Sequence, residues 1–257
     1  MHLFELEDFP WFPSSWRDAG TSFLELAMRL SGHAKILAPS VADAVRATGA
    51  TRIIDLCAGG GGPLPIIMHE LSKHGMPVKA LLTDLYPNVP AFQRVAAASG
   101  GLIEAHTEPV DATNVPRELG GLRVMFNAFH HFKPERAKAV LRDAVEKEQA
   151  IAIFEVVSRE PLPLIGMLAS PINFAVAVPF LRPFQWSWLL FTYLLPALPA
   201  FVLWDGLVSC LRIYSEAELR ELTSSIETPT GWTWAIGRVR LGKAPAHATY
   251  LLGLPSR

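Results

Sequence analysis

The chain of 257 residues holds only two cysteines, Cys57 and Cys210, far apart in sequence. That excludes a disulfide framework and fits a reducing compartment. Charge is also scarce. Asp, Glu, Lys and Arg make up 18% of the residues and the net charge is −1, against the usual quarter of charged residues. No basic field is present to draw nucleic acid. The opening "MHLFELEDFPWF" carries acids where a secretory signal needs a basic stretch, so a cytoplasmic location is expected. There is no internal repeat and no low-complexity tract. Apolar residues are plentiful: half the residues are hydrophobic and the mean hydropathy is +0.26. The length suits one domain with an insertion and is ample for a sizeable core.

Hydrophobic periodicity predicts two helices between residues 15 and 50, with a break near Pro39-Ser40. Short apolar runs then alternate with helical patterns. Strands are expected in 51–57, 78–85, 102–111, 122–129 and 150–158, and helices in 63–75, 89–99 and 133–148. This alternation predicts a doubly wound, mostly parallel α/β sheet covered on both faces. It breaks at residue 161. Residues 161–211 contain two charged side chains, Arg182 and Asp205, and several prolines. Ser215 and Glu218 then form a capping box that opens a helix over 215–226. Residues 232–242 and 247–255 read as a strand pair added to the sheet edge.

The chemistry is concentrated in "DLCAGGGGP", Asp55 to Pro63. A phosphate loop needs Lys-Ser or Lys-Thr after the glycines, and none follows. A dinucleotide loop needs a third spaced glycine, but after Gly59 and Gly61 the position is Leu64. Acids are present instead, at the carboxyl ends of three expected strands: Asp55, Asp84 and Asp111. Ligands bind at those ends in open parallel sheets. With "DLCAGGG", "LLTDLYP", "PVDATNVP" and "MFNAFHHF" in this order over residues 50–160, the chain resembles the class I S-adenosylmethionine-dependent methyltransferases.

The resemblance implies a Rossmann-like seven-stranded sheet and S-adenosyl-L-methionine as cofactor. Asp55 would face the ammonium, Asp84 the ribose hydroxyls and Asp111 the adenine, with Cys57, Ala58, Gly59, Gly61, Leu85, Ala112 and Asn127 completing the pocket. Cys57 stands where the family has its first glycine. His130 and His131, after the fourth strand, become the candidate bases for deprotonating an acceptor. No metal site is expected from them, because neighbours in a strand point to opposite faces. The regions divide as an N-terminal helical cap (1–50), the cofactor-binding core (51–160), an apolar insertion (161–212) and a C-terminal helix with strands that complete the core (213–257).

Three readings of the insertion stand side by side. It is a pair of membrane-spanning helices, a monotopic anchor with Trp186, Trp188, Tyr193 and Trp204 as interface residues, or a lid over a greasy pocket. The last two both predict a hydrophobic small-molecule or lipid-like substrate, with membrane contact through 161–211 in the anchor reading. The aromatic cluster Phe9, Trp11, Phe12 and Trp16 either closes over the cofactor or packs the first helix onto the insertion. The expected activity is methyl transfer. The alternatives are a non-methylating enzyme on the same fold and a membrane-associated binding protein with a vestigial site.

Overall fold

The structure is a computed structural model that describes residues 3–242 and 246–255. Residues 1–2, 243–245 and 256–257, which include the outer ends of the first and last expected regions, lie outside the described residues.

A strap of chain leads into α1 (Ser14–Ser31) and α2 (His33–Thr48). The break between them is at Gly32, not at Pro39-Ser40. Gly32 takes a left-handed conformation with φ 71° that ends α1, while Pro39 sits inside α2. Packing overrides the proline: Leu37, Val41, Ala44 and Val45 of α2 are buried in the same cluster as Ile53, Leu82 and Val124 of the sheet. Thus α2 belongs to one covering layer, and α1 stands further out.

The sheet contains β1 (Arg52–Asp55), β2 (Lys79–Leu82), β3 (Ile103–Ala105), β4 (Leu122–Phe126), β5 (Ile151–Glu155), β6 (Thr233–Arg240) and β7 (His247–Leu254). Its order is β3-β2-β1-β4-β5-β7-β6. The first five strands pair in parallel, and β7 runs antiparallel to both β5 and β6. Alternate side chains point to opposite faces, which splits the core in two. Ile53, Leu82, Val124 and Phe154 pack under α2 and α3 (Leu64–Lys73). Ile54, Leu81, Met125 and Ile153 pack with the face that carries α5 (Pro134–Glu146). The helix α4 (Val89–Ala98) starts at an Asn88 cap whose side chain accepts from the Ala91 amide.

The chain leaves β1 toward β2 on one side, and β4 lies on the other. The crevice of such a sheet opens at this switch point, outside the carboxyl ends of the strands.

The insertion folds as short helices: α6 (Pro161–Met167), α7 (Ser170–Ala177), α8 (Trp186–Leu189) continuing into a π turn (Leu190–Leu194), and the longer α9 (Ala197–Arg212). No single helix among the described residues is long and apolar enough to cross a membrane. Two bent pairs, 161–180 and 186–212, pass that test only when joined. Trp188 is not an interface residue. It is fully buried and its indole N–H donates to the Ser15 carbonyl at 2.9 Å. The N-terminal aromatics pack onto the insertion, with Phe12 against Phe201 at 4.7 Å and Trp16 against Phe191 at 5.1 Å between ring centres. The capped helix α10 (Glu216–Ser224) follows, with both bonds of its capping box formed.

Candidate functional site

The four glycines follow β1 directly, and each has a local reason. Gly59, Gly61 and Gly62 run at φ of 57°, 105° and 47°, where a side chain is strained. Gly60 needs room instead: a Cβ there would sit 2.9 Å from the Thr21 methyl of α1. So the run lets the loop turn sharply while α1 lies across it. Cys57 also takes a positive φ, 58°, without being a glycine. That strain is of a kind that collects at ligand sites.

Asp84 fastens the loop. One carboxylate oxygen accepts from the Gly59 amide at 3.0 Å and the other from the Tyr86 amide at 2.9 Å. Leu85 is half-buried between them. Asp55 is buried at the end of β1, and no hydrogen-bond donor among the described residues reaches its carboxylate. Burial, and then the nearby Asp84 charge, push its pKa well above the ordinary carboxyl range. Asp111 accepts from the Thr113 amide and hydroxyl at 2.9 and 2.8 Å and pairs with Arg136 at 3.3 Å. Partial burial pushes its pKa up, but these partners outweigh it and hold the carboxyl below its usual value. Ala112 is buried beside it, and Ala58 lies buried in the glycine loop.

The three carboxylates converge on one thiol. Burial raises the pKa of Cys57 well above its ordinary value, and Asp84, Asp55 and Asp111 raise it further. Both effects work against a thiolate at Cys57. Asp84 and Asp111 put acidic groups at the mouth of the crevice, with Arg136 on Asp111 as the partner cation. Such a mouth suits a ligand that carries positive charge and hydroxyls.

Across the switch point, Asn127 ends β4 with φ 50°, and its side-chain oxygen accepts from the Val156 amide at 2.7 Å. It stitches β4 to β5. The chain then turns through a 3-10 segment, Phe129–His131. The two histidines are thus not in a strand and do not point apart. Their rings lie 4.4 Å from centre to centre.

The two histidines have different partners. His130 is buried, and its Nδ1 lies 2.7 Å from Oε2 of Glu155. The other oxygen of Glu155 accepts the Phe129 amide at 2.7 Å. A carboxylate on Nδ1 favours the tautomer with its proton there, which leaves a lone pair on Nε2. Nε2 has no hydrogen-bond partner. His131 faces the N-terminal strap, with Nδ1 2.8 Å from Glu5 and 3.0 Å from Asp8. Burial opposes protonation there, but those carboxylates outweigh it and lift the pKa well above the ordinary histidine range. Arg212 at the end of α9 completes the fastening. It pairs with Asp8 at 2.6 Å and Glu5 at 3.3 Å, and it donates to the His131 carbonyl.

Several of these groups are not singled out by sequence patterns. Glu155 obeys the same rule as Asp55, an acid at the carboxyl end of a strand, so "IAIFE" carried the signal. Glu5, Asp8 and Arg212 gave none, because their meeting joins residues some two hundred positions apart.

No protein-family model matches the chain, and no curated protein matches it. Solved structures do. The pyocyanin biosynthetic protein PhzM superposes with a TM-score of 0.54 at 14% identity over 90% of this chain and 57% of its own. The plantazolicin methyltransferase BpumL, solved with S-adenosylhomocysteine, gives 0.52 at 12% over 94% and 88%. The O-methyltransferase NcsB1 from neocarzinostatin biosynthesis, solved with S-adenosylmethionine and a naphthoic acid, gives 0.50 at 14% over 89% and 56%. The chain spans little more than half the length of NcsB1 and of PhzM. Sheet order, crevice and superpositions agree: this chain has the fold of the class I S-adenosylmethionine-dependent methyltransferases.

Proposed function

We propose that the protein transfers a methyl group from S-adenosylmethionine to an apolar small molecule or lipid-like acceptor at a membrane surface. The observation that carries the cofactor reading is the convergence of Asp55, Asp84 and Asp111 around the glycine loop. S-adenosylmethionine carries no phosphate, and no lysine or arginine lines the loop from Asp55 to Pro63. It does carry an ammonium, for which Asp55 is the unpaired carboxylate. Its ribose hydroxyls suit Asp84, whose amide bonds to Gly59 and Tyr86 hold both oxygens in place. Asp111 and Ala112 suit the adenine end, and Cys57, Ala58, Gly59, Gly61, Leu85 and Asn127 the walls. Methyl transfer is an in-line displacement that depends on alignment and exclusion of water. His130 and His131 stand at the acceptor end of β4. The carboxylates of Glu5 and Asp8 favour the protonated form of His131, so His130, oriented by Glu155 and with Nε2 unpartnered, is the better placed of the two to serve as the base.

The acceptor class rests on the insertion. Leu162, Ile165, Ile172, Phe180, Trp186 and Leu194 are all more than half exposed there. An apolar, proline-broken surface with Trp and Tyr among its exposed residues suits the interface plane of a bilayer. In this reading 1–50 cap the site, 51–160 hold the cofactor, 161–212 meet the membrane or the acceptor, and 213–257 complete the sheet.

The test is the formation of S-adenosylhomocysteine by purified protein supplied with S-adenosylmethionine and lipid-extract vesicles. Turnover that needs the vesicles supports the reading. Cofactor binding with no by-product in any extract would favour a non-methylating enzyme. A triple variant, Phe180→Ser, Trp186→Ser and Leu194→Ser, should lose flotation with vesicles while its stability changes by no more than about 0.5 kcal/mol per site, as expected for surface positions. Unchanged flotation would remove the membrane from the proposal.

A further inference from the structure

The strap and the turn after β4 bring together Glu5, His130 and His131, and the methyl-transfer reading gives no role to Glu5 and none to the way it gathers the two rings. Glu5, His130 and His131 each offer one ligand atom, and these atoms lie within 4.8 Å of one another. Glu5 is completely buried and His130 is 2% exposed. With Nδ1 of His130 held by Glu155, the nitrogen left over is Nε2, buried and without a partner. Oε2 of Glu5 is buried beside it, 2.8 Å from Nδ1 of His131. A buried lone pair with no donor costs free energy unless something accepts it.

Acidic side chains crowd around the group. The carboxylates of Glu5, Glu7, Asp8 and Asp205 gather on the strap and α9. Arg212 and the imidazoles face them. Adjacent rings 4.4 Å apart are poorly placed to carry two positive charges together.

We propose that Glu5, His130 and His131 form a binding site for a divalent transition-metal ion of the zinc class, which clasps the N-terminal strap to the turn after β4. Two imidazoles and a carboxylate are a donor set that zinc takes with a fourth position left open. Bonds of about 2.1 Å put tetrahedral ligands about 3.4 Å apart, so the ion draws the three atoms inward by a small side-chain movement. The outer partners of a metal site are already in place. Glu155 holds the far nitrogen of His130, and Ser209 donates to Oε1 of Glu5 at 3.1 Å. Coordination needs the ligating nitrogens free of protons, so any proton on them leaves to solvent on binding. The site consists of this chain's own side chains and stands whether or not the protein transfers methyl groups.

The experiment is zinc binding by the full chain without cofactor or lipid. The protein is stripped with a chelator, titrated with Zn2+ alone and then with Co2+, whose visible absorption reports imidazole coordination. The expected result is about one ion per folded chain, with a rise in melting temperature on zinc addition. Glu5→Gln and His131→Gln should each weaken binding at least about 100-fold. His131→Cys, which restores a zinc ligand, should recover it, and Glu7→Gln on the same strap should bind as wild type. Failure of folded wild-type protein to take up zinc at micromolar concentration overturns the proposal. So does full affinity in His131→Gln. Equal loss in Glu7→Gln and Glu5→Gln would also overturn it, by showing that only the charge of the strap mattered.

Discussion

The crevice of the core and the surface of the insertion are built on opposite rules. In the core, polar side chains are buried: Asp55, His130 and Glu155 are almost without exposure. In the insertion, apolar side chains are exposed, with Ile172 at 70% and Leu194 at 73%. Each departs from the ordinary partition of residues between inside and outside. A buried carboxylate without a donor and an exposed leucine face the same shortage, since each lacks the surroundings that would stabilise it. In the proposed function the cofactor meets the first shortage and an apolar phase the second. The two regions meet where Arg212, at the end of α9, donates to the His131 carbonyl.

Substitutions can break or sharpen this contrast. The largest effect is expected from Trp188→Ala, which empties the core of the insertion and removes the bond to Ser15. Unfolding in urea should show a loss of about 3–5 kcal/mol. A loss below about 1 kcal/mol would mean that the insertion adds little to the stability of the whole. Asp84→Ala acts on the other region. It removes the proposed ribose partner and frees the Gly59 amide, so calorimetry with S-adenosylmethionine should show affinity falling about 100-fold, or about 2.7 kcal/mol. Unchanged affinity would place the cofactor elsewhere.

Gly60→Ala tests the seam between the regions. The new methyl group meets Thr21 of α1, and overpacking of this kind costs about 1–3 kcal/mol. The double variant with Thr21→Ser, which lacks that methyl, should regain most of the loss in a melting experiment. The smallest effect is a gain. The folded-state pKa of Asp55 is raised above its ordinary value, so the folded protein holds a proton that the unfolded chain releases. Stability of the ligand-free protein therefore falls as pH rises from the ordinary carboxyl range through the raised value, and the loss persists at neutrality. Asp55→Asn removes that loss. Its melting temperature at pH 7 should rise by about 2–4 °C for each kcal/mol recovered, while cofactor binding is lost. A lower melting temperature would mean that the carboxylate has a stabilising partner.

The core was legible in the sequence because its signals are local. A strand that ends in an acid, a loop that needs glycine and a proline that opens a helix are each set by a few adjacent residues. Even there the break between α1 and α2 falls at Gly32 and not at Pro39, since packing against the sheet makes the proline tolerable inside α2. The run of four glycines was only half accounted for by pattern. Gly60 has its reason in Thr21, which is distant in sequence. The insertion was far less legible. Its composition announces an apolar surface, but which tryptophan turns inward depends on Ser15 and α1. The histidine pair was placed in a strand, and the 3-10 turn that brings the rings together changed what the pair can do.

One consequence of α9 concerns continuity. Its 16 residues make a rod of about 24 Å. One end is buried among the apolar side chains of the insertion through Leu198 and Phe201. At the other end Arg212 grips the backbone of His131 and the acids of the strap. One helix thus spans from the apolar surface to the turn where β4 ends, so the two are joined by a single continuous element and not by a loop.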